Sequence, residues 1–351
     1  VTAPDHAADR LGAGLAELGR RIEAASRSVG EPVRWDWPEV LVERSRLRPL
    51  APPGRTTASG AGRLLPCADG WVAVQLPRTE DVELLPAWLG LVDPKASMAH
   101  PFGDPTDPWP VVEAASRDAP ARTLVEAGAL VGLAVARLGE RSCSPGVEVL
   151  RRRRRPPRGR VRVIDLSALW AGPLCGAVLA EAGADVVKVE SCTRPDGARI
   201  GDPALFARLN RAKSARTVDV SVASGRRELA ALVHDADVVV ESTRPRALEQ
   251  LGIVADDELR DPRGPGVWIS ITGYGRASPR IAFGDDAAVA GGLVRHTADG
   301  PQFRGDALAD PLSGLAAAAT ALELLAAGHG GLVEVAMAGV AARHADPARP
   351  R

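Results

Sequence analysis

From residue 160 onward, short β-branched runs alternate with stretches of helical spacing, and this alternation limits what the chain can become. VRVIDL, within Arg160–Leu166, reads as a strand. Ala171-Gly172-Pro173 reads as a turn, Leu174–Ala184 as a helix and DVVKVE (Asp185–Glu190) as the next strand. A second round follows in Thr217–Val220, a helix over Gly225–Asp235 and DVVVE (Asp237–Glu241); VWISIT (Val267–Thr272) adds another strand. Strands this uniformly apolar belong to parallel sheets covered on both faces. Right-handed crossovers then align the loops after the strands along one edge, where ligands usually bind.

Upstream, two further zones are expected. Residues 1–62 hold one helical pattern, with Leu11, Leu15, Leu18 and Ile22 at three- and four-residue steps, and then a connector through Pro49, Pro52, Pro53 and Gly62. Residues 63–142 open with a hairpin, Arg63–Cys67 and Trp71–Leu76 about Asp69-Gly70. Helices over Glu80–Leu89 and Pro110–Leu138 follow, separated by a rigid loop at Pro101, Pro105, Pro108 and Pro110. Residues 143–159, with Arg151–Arg155 and Pro156-Pro157, read as a solvated linker, and 344–351 as a tail. The expected class is α/β: a Rossmann-like parallel sheet with flanking helices over 160–343, plus a smaller α+β domain over 63–142.

The chain has 44 basic and 44 acidic residues, so no net charge draws it to nucleic acid or to an anionic membrane. Arg151–Arg155 has no interleaved aromatic residues and is followed at once by prolines, so neither partner is expected from it. Only three of the basic residues are lysines (Lys95, Lys188, Lys213), which reads as a compositional bias towards arginine. Cys67, Cys143, Cys175 and Cys192 form no CxxC pair; no metal site is expected, and a reducing cytoplasm is the natural setting. Residues 1–30 lack signal-peptide character, and the apolar stretch Leu312–Leu325 is too short to span a bilayer.

The unit Arg160–Glu190 has dinucleotide-fold logic, ending in an acid, but its turn reads LWAGPLCGA and lacks GxGxxG. NAD is therefore disfavoured, while another adenosine-containing ligand fits. Glu190 reads equally well as a solvated strand end. Asp310 stands before the apolar Leu312–Leu325 helix, where an aspartate is commonly just an N-cap; Asp306 is the rival carboxylate.

The run VRVIDLSALWAGPLCGAVLAEAGADVVKVES resembles the opening of the large domain in the family III CoA-transferases, which include α-methylacyl-CoA racemases. The resemblance continues in order through LNRAKSARTVDV, GRRELAALVHDADVVVESTRP, LGI, ISITGYG, ALADPLSGLAAAATAL and GLVEVAM. It implies that Asp310 attacks an acyl-CoA thioester, passing through a mixed anhydride and an enzyme–CoA thioester before CoA reaches an acceptor carboxylate. CoA or acyl-CoA is then a substrate, with no permanently bound cofactor. The implied CoA contacts fall on Trp170, Ala171, Val218, Ser242 and Thr243.

Ser191, Ser221 and Gln250 stand where the resemblance implies basic residues; Arg194 and Arg244, with Arg211 or Arg246, are candidate replacements for binding phosphate. The racemase-like members place a histidine in a Gly-His-Asp step, where this chain has Gly284-Asp285-Asp286, and His296 reads as a loop histidine. A transferase is therefore favoured over a racemase or isomerase, with a non-catalytic CoA-binding subunit as a further reading. LLPCADGWVAVQLPRTEDV resembles the family's smaller domain, so the segments stand in permuted order, and the family's glycine-rich active-site loop is not visible. A homodimer, or a heterodimer with a related subunit, is implied by the same resemblance.

Overall fold

The computed structural model describes residues 9–93, 107–141, 143–243 and 245–346. Helix α1 (Arg10–Val29) buries Leu15, Leu18, Ile22 and Ala25 along one face, and the Asp9 side chain accepts from the Leu11 N–H at its start. Helix α2 (Trp37–Leu47) follows, with a proline in its first turn. The apolar side chains of α1 and α2 join the same core cluster as the residues of the large sheet. Residues 1–62 are thus no separate appendage where described: the stripe that predicts a helix is what docks it.

Strands β1 (Gly62–Cys67) and β2 (Gly70–Gln75) form the expected antiparallel hairpin. The stretch read as one helix over Glu80–Leu89 is two, α3 (Thr79–Glu83) and α4 (Leu85–Val92). Pro101 and Pro105 of the expected loop lie outside the described residues. Pro110 sits in the first turn of α5 (Trp109–Asp118), where its missing N–H costs nothing. The helix expected through Leu138 is interrupted at Pro120 and resumes as α6 (Ala121–Val131). Residues Ala134–Arg137 are instead strand β3, paired antiparallel with β2. Ala134, Val135 and Ala136 are all buried, and a strand can bury successive side chains on opposite faces. This three-stranded sheet and its helices carry a core of their own around Trp88, Leu124 and Val74.

The expected linker is also corrected. Val147–Arg154 is strand β4, an antiparallel edge strand paired with β12. On an edge strand long side chains can lie outward in solvent, so a run of arginines is compatible with strand pairing and guards the edge against other strands.

Next come β5 (Arg162–Asp165), α7 (Ala171–Glu181), β6 (Asp185–Ser191), the short helices α8 (Ala198–Gly201) and α9 (Pro203–Asn210), and β7 (Ser214–Val218). They are followed by α10 (Ala223–His234), β8 (Val238–Glu241), α11 (Pro245–Glu249), α12 (Ala255–Arg260) and β9 (Val267–Thr272). Helix α13 (Gly284–Gly291), the hairpin β10 (Val294–Thr297) with β11 (Gly300–Phe303), α14 (Ala309–Ala326), β12 (His329–Ala336) and α15 (Met337–His344) complete the described chain. The large sheet runs β4-β12-β9-β8-β5-β6-β7, parallel throughout except for β4. This is the α/β sheet that the alternation predicts. Strand order reverses between β5 and β8, and the loops after those two strands stand where sheets of this kind usually take a ligand.

Candidate active site

Helix α14 opens at Ala309 with Leu308 as its N-cap, and no side chain caps it. Asp310 lies within the first turn, so the bland N-cap reading is not what the fold uses it for. Its carboxyl is turned against α13: a Cβ placed on Gly284 would stand 2.3 Å from Asp310 Oδ2 and 2.4 Å from the Ala307 carbonyl. Only glycine leaves that space. Ala307 adopts the left-handed conformation (φ 46°), which costs an alanine on the order of 1 kcal/mol. Two bonds hold it there: its N–H donates to Asp285 Oδ1 (2.9 Å), and its carbonyl accepts from the Asp310 N–H (2.8 Å).

Four carboxyl groups gather at this junction. Asp285, Asp286 and Asp306 are buried; Asp310 is half-buried as a residue, with its carboxyl enclosed by protein. Burial of the carboxyl, together with the negative charges of Asp285 and Asp306, pushes Asp310 up to about 7; Arg44 and the Gly284 N–H act against that rise. Burial likewise raises Asp285 to about 7 and Asp286 to about 8. Asp286 spends one oxygen accepting from the Phe283 N–H (2.7 Å), and its Oδ2 has no partner. Asp306, the rival nucleophile, is buried and paired with Arg44 (2.8 Å). Asp285, in the step where the resemblance implies a histidine for racemase-like members, accepts from the Ala307 N–H. His296 lies exposed on β10, a strand rather than the expected loop.

The candidate CoA contacts fall into three groups. Trp170 and Ala171 are both buried at the start of α7, close to Asp310's helix: a Cβ on Gly314 would be 2.4 Å from the Ala171 carbonyl. The Trp170 indole lies beside Arg44, and its Nε1 has no hydrogen-bond partner. Ser242 Oγ accepts from the Ala168 N–H (3.0 Å), tying together the loops after β5 and β8. Thr243 approaches Glu241 (3.4 Å). Val218, at the end of β7, is buried in an apolar cluster, and its carbonyl accepts from the Cys192 N–H (3.2 Å). Arg194, Arg211 and Arg246 are exposed, and Arg244 lies outside the described residues. Glu190 is no solvated strand end: it accepts from the Asp196 N–H (2.8 Å) and pairs with Arg199 (2.6 Å).

Two residues passed over in the sequence hold this loop in shape. The Lys213 side chain is fully buried, donating to Asp165 Oδ2 (2.7 Å), the Pro173 carbonyl (2.8 Å) and Asn210 Oδ1 (2.9 Å). Burial works against the ionised Asp165, but Lys213 and Lys188 outweigh it and hold the carboxyl below its ordinary range. Lys188 bonds the Ser167 carbonyl and Asp196 (3.0 Å), and Asp196 in turn accepts from the N–H of Leu169, which is left-handed (φ 68°). The signal was present: in a chain that writes nearly all its cations as arginine, a lysine marks a place that takes a compact ammonium and no planar fork.

Among the described residues no cluster of three or more His, Cys, Asp or Glu could hold a metal, and no helix is long and apolar enough to cross a membrane.

Residues 160–349, more than half of the chain, match CoA-transferase family III, and the chain belongs to that family. It is 36% identical over 176 residues to an acyl-CoA transferase of Fusarium pseudograminearum, covering 44% of this chain and 38% of that one. It is 32% identical over 200 residues to the succinyl-CoA–D-citramalate CoA-transferase of Chloroflexus aurantiacus, covering 52% and 50%. Among solved structures, a hypothetical protein of Mycobacterium tuberculosis is 33% identical with a TM-score of 0.48, over 53% of this chain and 56% of that one. The chain thus spans about half, or less, of the length of these relatives.

Proposed function

We propose that this chain carries the reactive half of an acyl-CoA transferase, moving CoA from a thioester to a carboxylic acid, with Asp310 as nucleophile. The observation that carries the reading is where the carboxyl stands: Asp310 lies in the first turn of α14 with its Oδ2 packed against Gly284, enclosed beside Asp285 and Asp306. A carboxylate held among protein atoms is poorly solvated and more reactive towards a thioester carbonyl than one in water. Attack forms a mixed anhydride and releases CoA thiolate. Return of the thiolate at the aspartyl carbonyl frees the donor acid and leaves the enzyme–CoA thioester. The acceptor carboxylate then attacks that aspartyl carbonyl, expelling CoA thiolate and forming a second anhydride, and the thiolate attacks the acceptor's acyl carbonyl to give the new thioester and release the Asp310 carboxylate. Trp170, Ala171, Val218, Ser242 and Thr243 would contact CoA mainly through backbone atoms, with Arg194 and Arg244 offered to phosphate. The partner subunit would be a second copy or a related chain, in a cytoplasmic enzyme.

Intact-mass spectrometry after incubation with a panel of acyl-CoAs tests this. An acyl or CoA adduct that disappears in Asp310→Asn supports the reading; an adduct that survives the substitution moves the chemistry elsewhere. Binding of acyl-CoA with neither adduct nor exchange indicates a non-catalytic subunit.

A second reading has one observation in its favour. Asp285 and Asp310 are neighbouring carboxyls, both raised to about 7, which suits proton transfer on two sides of an α-carbon. Incubating a chiral 2-methylacyl-CoA in heavy water separates the two: deuterium at the α-carbon without CoA exchange identifies a racemase.

A further inference from the structure

The family match begins at residue 160, yet the cation paired with Asp306, beside Asp310, comes from residue 44. Arg44, on α2, donates through Nε to Asp202 Oδ2 (2.8 Å) and through Nη1 to Asp306 Oδ1 (2.8 Å). Both acceptors are buried, and they belong to different segments of the chain. Asp202 is the N-cap of α9, its side chain accepting from the Leu205 N–H. Asp306 directly precedes left-handed Ala307 in the turn that presents Asp310. The guanidinium also lies 5.9 Å from the centre of the Trp170 ring, on the loop after β5.

We infer that Arg44 is a positioning residue for Asp310: it clamps Asp202 to Asp306 and so fixes the turn on which the reactive carboxyl stands. This rests on the function proposed for Asp310, but its geometry is independent of the acyl group. Two different nitrogens reach two different carboxylates, a bridge that a planar fork makes and an ammonium reproduces poorly. A positive charge here also favours the ionised form of Asp310. The groups facing it are Asp285 from α13, Asp306 from the turn and Arg44 from α2; around Arg44 stand Asp202, Asp306, Asp285 and, at 3.8 Å from Asp202, Arg48.

The test uses Arg44→Gln and Arg44→Lys in the full chain, with two readouts. The first is the titration of the Asp310 carboxyl by ¹³C NMR, assigned by its loss in Asp310→Asn; it needs no acyl-CoA. Arg44→Gln should raise the midpoint by about one pH unit, the ordinary effect of removing a nearby opposite charge, and Arg44→Lys should restore most of it. The second is the rate of adduct formation: both variants should be slower than the parent by about tenfold or more, because charge without the bridge leaves the turn loose. A parent-like midpoint and rate in both variants would reduce Arg44 to an ordinary ion pair and overturn the inference. If Arg44→Gln does not fold, Asp202→Asn, which releases one anchor only, should slow the adduct while leaving the midpoint nearly in place; an unchanged rate counts against the clamp. Should the parent take up no acyl group at all, the proposed function fails, while the titration still decides whether Arg44 acts on Asp310.

Discussion

At the scale of single residues, the junction of α13 and α14 concentrates the chemistry in a few atoms. Gly284→Ala would drive a methyl group into Asp310 Oδ2 and the Ala307 carbonyl. The turn must shift, and we expect a loss of stability of about 1–3 kcal/mol with adduct formation falling much further than the melting temperature alone would suggest. Rates and calorimetry on the same preparation separate the two effects. Because the nucleophile is the ionised form, adduct formation should climb with pH through about 7 and level off above it. Asp286 makes a stability prediction of its own. Its folded value, near 8, lies above that of an unfolded aspartate, so the folded chain keeps a proton that the unfolded chain gives up. Its contribution is fully present below about pH 4 and is lost as pH rises towards 8, by at most about 1.4 kcal/mol per unit. Asp286→Asn retains an acceptor for the Phe283 N–H and cannot ionise. Urea titrations should therefore show its stability relative to the parent improving between pH 5 and pH 8; an unchanged difference refutes the assignment.

At the scale of elements, the alternating strands and helices from residue 160 were legible because a parallel sheet writes both its faces apolar, and β5, β6, β8 and β9 appear where such runs stand. Asp310 was legible as a candidate through the ordered motifs around it, but its orientation was not: only the fold turns its carboxyl towards Gly284 and away from its own helix end. β4 was hidden because an edge strand needs pairing on one side only, and its arginines look like a solvated tether. β3 was hidden because Leu133–Leu138 continues a helical-looking apolar stretch, and only the presence of β2 makes it a strand. The lysines were misread as bias, though the same bias makes them conspicuous. Lys213→Met would leave Asp165 buried beside a missing cation, at a cost of about 3–5 kcal/mol. It should also loosen the loop after β5, seen as faster amide exchange at Ser167 and Leu169; exchange confined to β7 would mean that Lys213 supports only its own strand.

At the scale of the whole molecule, α1 and α14 share one core although nearly three hundred residues separate them in sequence. Ile22 is fully buried in that core. Ile22→Ala should cost about 2–5 kcal/mol, and circular dichroism and tryptophan fluorescence should report one common transition; a separate early melting of α1 would show that the helix is merely adherent.

The same packing sets a boundary for anyone trimming this protein. A fragment cut to begin at Arg160, where the similarity to its relatives starts, would strip the cover from a helix that is mostly alanine and leucine. Such a piece would retain every motif that names its lineage and still be recovered from the insoluble pellet, because the surface it needs to hide would have lost its lid.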